Sequence, residues 1–296
     1  MGHNATTAHR NMLEMNVAMH KNTHEITVAD HECPRPDGST MLIRVARPQG
    51  DGPFPGIVDI HGGGWWMGDR KQNAAIDDTL AANGIVAAAP EFRMPPDGKF
   101  PVSIADVHLA VRWLKANAGK LGTKPEWVGG IGSSSGGHQL LTMMLQGDDP
   151  RYAALALPQA PTTDATLAYA IAGWPVADPL ARFKMAQEKN NRGLLEAHTK
   201  YWSSEDEMAD ANPQLLLARG KFGKLPPLLV LQGTNDDNLT PDMSSNFVTA
   251  YRKAGGTATL NVFEGQIHAF VIREPKSAAS EQALRNMVEF IKAQAK

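Results

Sequence analysis

The sequence predicts an α/β protein with a mainly parallel central sheet, helices on both of its faces and a helical cap. Three observations point there. Short apolar, β-branched runs alternate with longer stretches whose apolar residues recur at helical spacing, the pattern of strands joined by crossover helices. The chain has 296 residues, 42% of them apolar and 20% charged, which suffices to bury one large core and is ordinary for a globular protein. One stretch, Pro158–Lys224, breaks the alternation, with Trp174-Pro175, Asp178-Pro179 and Asn212-Pro213 punctuating short helical pieces and no strand between them. A structureless loop of that length is uncommon inside a domain, so the stretch reads as an inserted helical cap. The expectation is a single domain over residues 1–296, with residues 1–35 forming an N-terminal arm that contributes to the cap.

The elements follow in order. Thr40–Ala46 and Gly56–His61 read as strands and Ile85–Ala89 as a buried third one. Pro101–Lys115 places Val102, Ala105, Leu109, Val111 and Leu114 on one helical face, which predicts an amphipathic crossover helix. Trp127–Gly132 is a strand, Gly136–Gln146 a helix and Ala153–Leu157 strand-like. Within the cap, Leu180–Lys189, Leu194–Trp202 and Gln214–Arg219 are helical pieces, and Trp174, Phe183, Tyr201 and Trp202 are expected to form its core more than to line a ligand. Leu228–Gln232, introduced by Pro226-Pro227, is apolar enough for a central strand. Thr240 and Pro241 are placed as N-cap and first residue of the next helix, which ends at Ala254-Gly255-Gly256. Thr259–Phe263 is the last strand and Ser280–Ala293 the closing helix.

Charge and composition narrow the function. A formal charge of -2 leaves no basic excess to neutralise phosphates, so neither nucleic acid nor an anionic membrane is expected as partner, and a small or neutral ligand is. No apolar run reaches membrane-spanning length, and the N-terminal stretch lacks the apolar segment of a signal peptide, which points to the cytoplasm. Cys33 is the single cysteine, so no internal disulfide forms, and its place in the turn CPRPDG makes it incidental to chemistry. His3, His9, His20, His24 and His31 invite a metal reading. His20 and His24 would share a helical face, but no third ligand stands at a recognised spacing, so a solvated helix is expected and no metal.

The chemistry concentrates in four segments. Gly132-Ser133-Ser134-Ser135-Gly136 satisfies G-x-S-x-G in one frame, with Ser134 at its centre between a strand and a helix, where a sharp turn exposes a nucleophile. His61-Gly62-Gly63-Gly64-Trp65-Trp66 follows a strand, and its glycines let backbone N–H groups approach the oxyanion that forms when an acyl carbonyl is attacked. A serine hydroxyl needs a base, and the base a group that fixes its tautomer. Asp236 and Asp237 stand just past the strand Leu228–Gln232, and His268 stands in the loop after the last strand. Either aspartate suits the third role. Trp65, Trp66 and the cap would shape a mostly apolar pocket for small or medium esters.

Together these motifs resemble the α/β-hydrolase superfamily, and within it the hormone-sensitive lipase-like carboxylesterases. HGGGWW is similar to that family's HGGG segment, and GSSSGG stands where it usually has GDSAGG. Pro90–Pro96 and Lys99-Phe100-Pro101, followed by Asp106, look like its YRLAPE…FP…D block. The resemblance runs from about Thr40 to the C-terminus and is weakest in the N-terminal arm and Pro158–Lys224. It implies the α/β-hydrolase fold, with Ser134 as nucleophile, His268 as general base and then acid, and Asp236, three residues after Gly233, as orienting acid, with Asp237 second. It also implies an oxyanion hole from the backbone N–H groups of Gly63, Gly64 and Ser135, a structural His61, and no cofactor. Ser133 replaces the usual acidic residue and is assigned to the pocket. The segment QGTNDDNLTP also looks like the acid loop of prolyl-oligopeptidase-type peptidases, whose large extra domain this chain has no room for. The implied reaction is hydrolysis of small-molecule carboxylic esters through an acyl-enzyme. Amide or aryl-amide cleavage and deacetylation of a carbohydrate use the same triad, and a non-catalytic binding protein on this fold is the reading from another class. Pairing into a homodimer through Thr259–Lys296 is implied by the resemblance alone.

Overall fold

The computed structural model of the protein describes residues 23–295. His20 and the rest of the arm up to Asn22 lie outside those residues; His24, expected to share a solvated helical face with His20, stands in a bend before the first strand, its ring edge-on to Phe54 with centroids 5.2 Å apart. The sheet begins with an antiparallel hairpin, β1 (Ile26–Pro34) against β2 (Thr40–Pro48), in a register running from Ile26 opposite Pro48 to Pro34 opposite Thr40. Then come β3 (Phe54–Ile60), β4 (Val86–Pro90), β5 (Thr123–Ser133), β6 (Ala170–Gly173), β7 (Leu228–Gly233) and β8 (Ala258–Phe263), giving an eight-stranded sheet in the order β1-β2-β4-β3-β5-β6-β7-β8. β2 meets β4 antiparallel, and from β4 onward the pairs are parallel.

The crossovers are α1 (Ala74–Ala82), α2 (Val102–Ala116), the short α3 (Ala118–Leu121), α4 (Ser135–Leu145), α9 (Met243–Lys253), and, near the C-terminus, α10 (Phe270–Arg273) and α11 (Ala278–Gln294). α2 packs on α4 and α1 on α11. All of β4, and β5 from Val128 onward, is buried, so both faces of the sheet are covered there, and continuous apolar runs are what such strands require. Between β6 and β7 lie α5 (Pro179–Glu188), α6 (Arg192–Tyr201), α7 (Glu205–Asp210) and α8 (Pro213–Ala218). Each opens on a side chain that accepts a first-turn N–H: Asp178 from Ala181 at 2.9 Å, Asn191 from Leu194 at 3.1 Å, Ser204 from Glu207 at 3.2 Å and Asn212 from Leu215 at 3.1 Å. The prolines after Asp178 and Asn212 therefore start helices, at a position where the missing N–H costs nothing.

Four expectations change. Ala153–Leu157 forms turns, and the strand paired with β5 is β6, inside the stretch expected to hold no strand; four small residues, AIAG, are too few to show a period. Consequently the inserted helices start at Pro179, after a strand of the sheet. Residues 26–34, assigned to a cap-forming arm, are an edge strand instead, whose mostly exposed pattern hides it from a search for apolar runs. Finally, α9 begins at Met243, so Thr240 and Pro241 precede it in the loop.

A buried ion-pair cluster ties the hairpin to the segment before α2. Asp106 on α2 accepts from Arg35 at 2.9 and 3.0 Å, and from the Arg93 side chain at 2.8 and 2.9 Å and its backbone N–H at 2.8 Å. With several donors on one carboxylate, the desolvation of Asp106 is compensated. Among the described residues no helix is long and apolar enough to cross a membrane.

Candidate active site

β5 ends at Ser133 and α4 starts at Ser135, so the whole turn from strand to helix falls on Ser134. Its φ of 54° and ψ of -117° lie where a residue with a side chain is strained, at a typical cost of about 1–3 kcal/mol. Its neighbours hold it there: the Ser134 N–H donates to the Gly173 carbonyl at 2.9 Å, and its carbonyl accepts from the N–H groups of Val176 at 3.1 Å and His138 at 3.2 Å. α4 must pass so close to the end of β3 that a Cβ at Gly136 would run into the carbonyls of Ile60 and His61. Glycine two residues after Ser134 is thus a steric requirement.

The strand ends beyond the elbow deliver the other two groups. His268 places Nε2 at 2.9 Å from Ser134 Oγ and Nδ1 at 2.8 Å from Asp236 Oδ2. Asp236 also accepts from Gln232 Nε2 at 2.9 Å on Oδ2 and from the Asn238 N–H at 2.9 Å on Oδ1. Burial pushes against its ionisation, but the His268 contact and these two donors outweigh it and hold the carboxyl below its usual range. An ionised Asp236 only accepts, so the His268 proton sits on Nδ1 and Nε2 is free to accept from the Ser134 hydroxyl. Asp237 is exposed and has no hydrogen bond among the described residues. Gln232 and Asn238, flanking the acid four residues before and two after, were not singled out in the sequence.

Facing Ser134 across a cavity of about 440 Å³ is the glycine segment. Gly63 has φ +98°, and a Cβ there would overlap the Met67 carbonyl, because the chain folds back to donate the Trp66 and Met67 N–H groups to the Gly63 carbonyl. Among the described residues no hydrogen bond uses the N–H groups of Gly63, Gly64 or Ser135. His61 braces the loop: its Nδ1 donates to the Gly62 carbonyl at 2.8 Å, and its ring stacks on Phe92 with centroids 4.4 Å apart. Trp66, Ser133, Ser134 and His268 line the cavity, and so does Trp174, which was expected in the cap core. No group of three or more His, Cys, Asp or Glu side chains among the described residues is arranged for a metal ion.

Trp65 does not line the cavity, which corrects its assignment to substrate binding. A φ of 68° turns it away from the cavity, and it is 1% exposed, stacked on Tyr201 with rings 5.3 Å apart and only 5° from parallel. Its indole N–H donates to His138 Nδ1 at 3.2 Å, and His138 Nε2 donates to the Ala211 carbonyl at 2.8 Å. Burial holds His138 down at about 4, so it is the neutral ring this pattern needs. Trp65 and His138 thus join the glycine loop, α4 and the segment before α8.

Ser133, where the resemblance puts an acid, accepts from Asn73 Nδ2 at 3.4 Å, and the same Nδ2 donates to Asp59 Oδ1 at 2.9 Å. Asp59 on β3 and Asp77 on α1 are 1% and 0% exposed, and Asp59 Oδ2 and Asp77 Oδ1 are buried with no donor among the described residues. Burial pushes both carboxyls up, Asp59 to about 6, and for Asp77 the charge of Asp59 adds to the rise, so the pair shares a proton. Arg44 closes the cluster, donating to Asp77 at 3.4 Å and to Asp78 at 2.6 Å.

Comparison with known proteins agrees with this architecture. The BD-FAE family model matches residues 45–251, and the dienelactone hydrolase family model matches 212–295. Esterase LipC of Mycobacterium tuberculosis is 28% identical over 207 residues, covering 68% of this chain and 49% of that protein. Isoprenylcysteine alpha-carbonyl methylesterase ICME of Arabidopsis thaliana is 24% identical over 259 residues, 82% of this chain and 57% of its own length. The chain thus spans about half the length of these curated relatives. A hyperthermophilic esterase from the archaeon Pyrobaculum calidifontis superposes with a TM-score of 0.74 at 21% identity, over 100% of this chain and 95% of that one. A model match over most of the sheet, the Ser134 elbow and the acid loop leads to one conclusion: the chain belongs to the BD-FAE family, on the α/β-hydrolase fold it shares with carboxylesterases of the hormone-sensitive lipase-like type.

Proposed function

We propose that the protein is a serine carboxylesterase acting on small-molecule esters. The observation that carries this reading is the unbroken chain of contacts from Ser134 Oγ to His268 Nε2, at 2.9 Å, and from His268 Nδ1 to Asp236, at 2.8 Å. His268 takes the Ser134 proton as Oγ attacks the ester carbonyl, and Asp236 stabilises the imidazolium that results. The alcohol leaves with that proton, an acyl-enzyme remains, and water attacks it with His268 again as base. The N–H groups of Gly63, Gly64 and Ser135 receive the oxyanion, each worth on the order of 10²–10³ in rate where such donors have been removed. Trp66 and Ser133 contact substrate in the cavity, and α5 to α8 act as the cap over it. The single free Cys33 favours a cytoplasmic setting, and a homodimer would use the free edge of β8.

A chain-length series of p-nitrophenyl esters, run beside the matching anilides on wild type and Ser134→Ala, tests the reading. Ester turnover lost in Ser134→Ala and faster than anilide turnover in wild type is expected. Undiminished turnover in Ser134→Ala sinks the mechanism, and faster anilide cleavage replaces the esterase assignment by an amidase.

A further inference from the structure

Arg182 on α5 is 2% exposed, and no carboxylate among the described residues makes an ion pair with it. Of the other buried cations, Arg35, Arg44 and Lys115 have aspartate partners, and Arg112 donates to the carbonyls of Thr163 and Leu155, away from the site. A bare buried guanidinium is costly, and burial pulls Arg182 down to about 10. Its contacts point elsewhere than stability. Arg182 Nε donates to the Asn238 carbonyl at 3.1 Å and Nη2 to Asn238 Oδ1 at 2.6 Å, a fork closed on one residue. That residue is the one whose N–H holds Asp236 Oδ1. Nη1 donates to His198 Nε2 at 3.4 Å, on α6, and the guanidinium lies 5.4 Å from the centre of the Trp65 ring. One cap side chain therefore touches the acid loop and the residue that follows the oxyanion glycines.

We propose that Arg182 is a positioning residue: by gripping Asn238 from the cap, it fixes the loop that presents Asp236 to His268, so that cap docking and triad alignment are one event. This rests on reading Ser134, Asp236 and His268 as the catalytic triad. Arg182 lines the same cavity, so its effect must be separated from substrate contact. A positioning residue lost from behind the acid lowers kcat and leaves KM nearly alone.

The test is steady-state kinetics on p-nitrophenyl butyrate for wild type, Arg182→Met, Arg182→Lys, Asn238→Ala and the Arg182→Met/Asn238→Ala pair, each normalised by burst titration of active sites, with Ser134→Ala normalised by protein concentration. Arg182→Met is expected to lower kcat about 10- to 100-fold with KM within about threefold, and Arg182→Lys to recover part of that. Asn238→Ala should lower kcat in the wild-type background and add little to Arg182→Met, since both cut one linkage. Should Arg182→Met not fold, Arg182→Lys and Asn238→Ala still decide. A kcat within twofold of wild type in all of these, with Ser134→Ala inactive, overturns the role of Arg182 and leaves the triad standing. A raised KM at unchanged kcat makes Arg182 a substrate contact and also overturns it. Turnover persisting in Ser134→Ala removes the reading on which it rests.

Discussion

Replacing Asp236 by asparagine asks whether this carboxylate orients His268. All three of its neighbours donate: His268 Nδ1 at 2.8 Å and Gln232 Nε2 at 2.9 Å to Oδ2, and the Asn238 N–H at 2.9 Å to Oδ1. An amide has one oxygen to offer and must turn its NH₂ toward one side. Facing the Asn238 N–H, the NH₂ leaves two donors opposed in a buried place, a cost of about 1–3 kcal/mol. Facing His268, it is accommodated more cheaply: the imidazole moves its proton to Nε2, and Gln232 turns its amide over, giving up its 3.1 Å bond to the Gly233 carbonyl while the Ser244 hydroxyl that now donates to Gln232 Oε1 at 2.7 Å accepts instead. The second arrangement wins, and it points an Nε2–H at Ser134 Oγ, where a base is required. A wrong-tautomer variant of this kind loses about 10⁴ in kcat in the serine-protease triad, so Asp236→Asn is expected to lose about 10³–10⁴, or about 4–5 kcal/mol of barrier. Asp237, exposed and without a hydrogen bond among the described residues, should give an asparagine variant within about twofold of wild type. The assay is kcat on p-nitrophenyl butyrate per titrated active site. Asp236→Asn keeping more than a tenth of kcat, or Asp237→Asn falling equally far, refutes the assignment.

Three further outcomes follow from the geometry. Gly63→Ala meets both a φ of +98° and the Met67 carbonyl, so it should displace the glycine loop and lower kcat at least 100-fold, while circular dichroism stays that of the folded protein. Burial raises the carboxyls of Asp59 and Asp77, and the charge of Asp59 adds to the rise of Asp77; with the folded value raised, the stability Asp59 contributes is complete below about pH 4 and is lost as pH climbs through about 6, roughly 3 kcal/mol. Urea unfolding across that window should therefore show wild type losing about that much relative to Asp59→Asn, and parallel curves would contradict the raised carboxyl. Trp65→Ala opens a hole among Tyr201, Trp202 and His138 and should cost about 3–5 kcal/mol in the same urea assay, whereas Trp66→Ala, at the cavity wall, should change KM more than stability.

How much of this was legible in the sequence depended on whether a feature is local. Leu228–Gln232 and Gly56–His61 announce buried strands because both faces of the sheet need apolar residues there, and each of them leads into a loop that lines the cavity or reaches His268. The Ser134 elbow was readable because its turn imposes glycine two residues before and after. β6 was not: AIAG sits among prolines, and its place between β5 and β7 is set by register with distant strands. Trp65 was misplaced for a related reason. Adjacent to the glycines, it shares their location in the sequence, but a single positive φ separates it from Trp66 and sends it into the cap. Gln232, Asn238 and Arg182 carry no motif at all; they matter through hydrogen bonds to Asp236 or its loop, which only the fold brings together.

Ser133 is where local reading and tertiary arrangement meet. Taken along the chain, the position before Ser134 holds a hydroxyl where the resemblance puts an acid. Taken through space, an acid is still there: Asp59, on the strand that leads into the glycine segment, reaches the elbow through Asn73, whose Nδ2 serves both Asp59 and Ser133. Because Asp59 and Asp77 share a proton, the pair holds one negative charge where separate carboxylates would hold two, and Arg44 lies beside it to offset that charge. The charge behind the elbow is thus one strand removed from Ser134 and screened by a neutral amide and a hydroxyl. An aspartate at position 133 would bring a third carboxyl against Asp59 within the same buried cluster, with Asn73 as the shared donor between them. Serine is the residue that this arrangement tolerates, since its hydroxyl accepts from Asn73 and adds no charge.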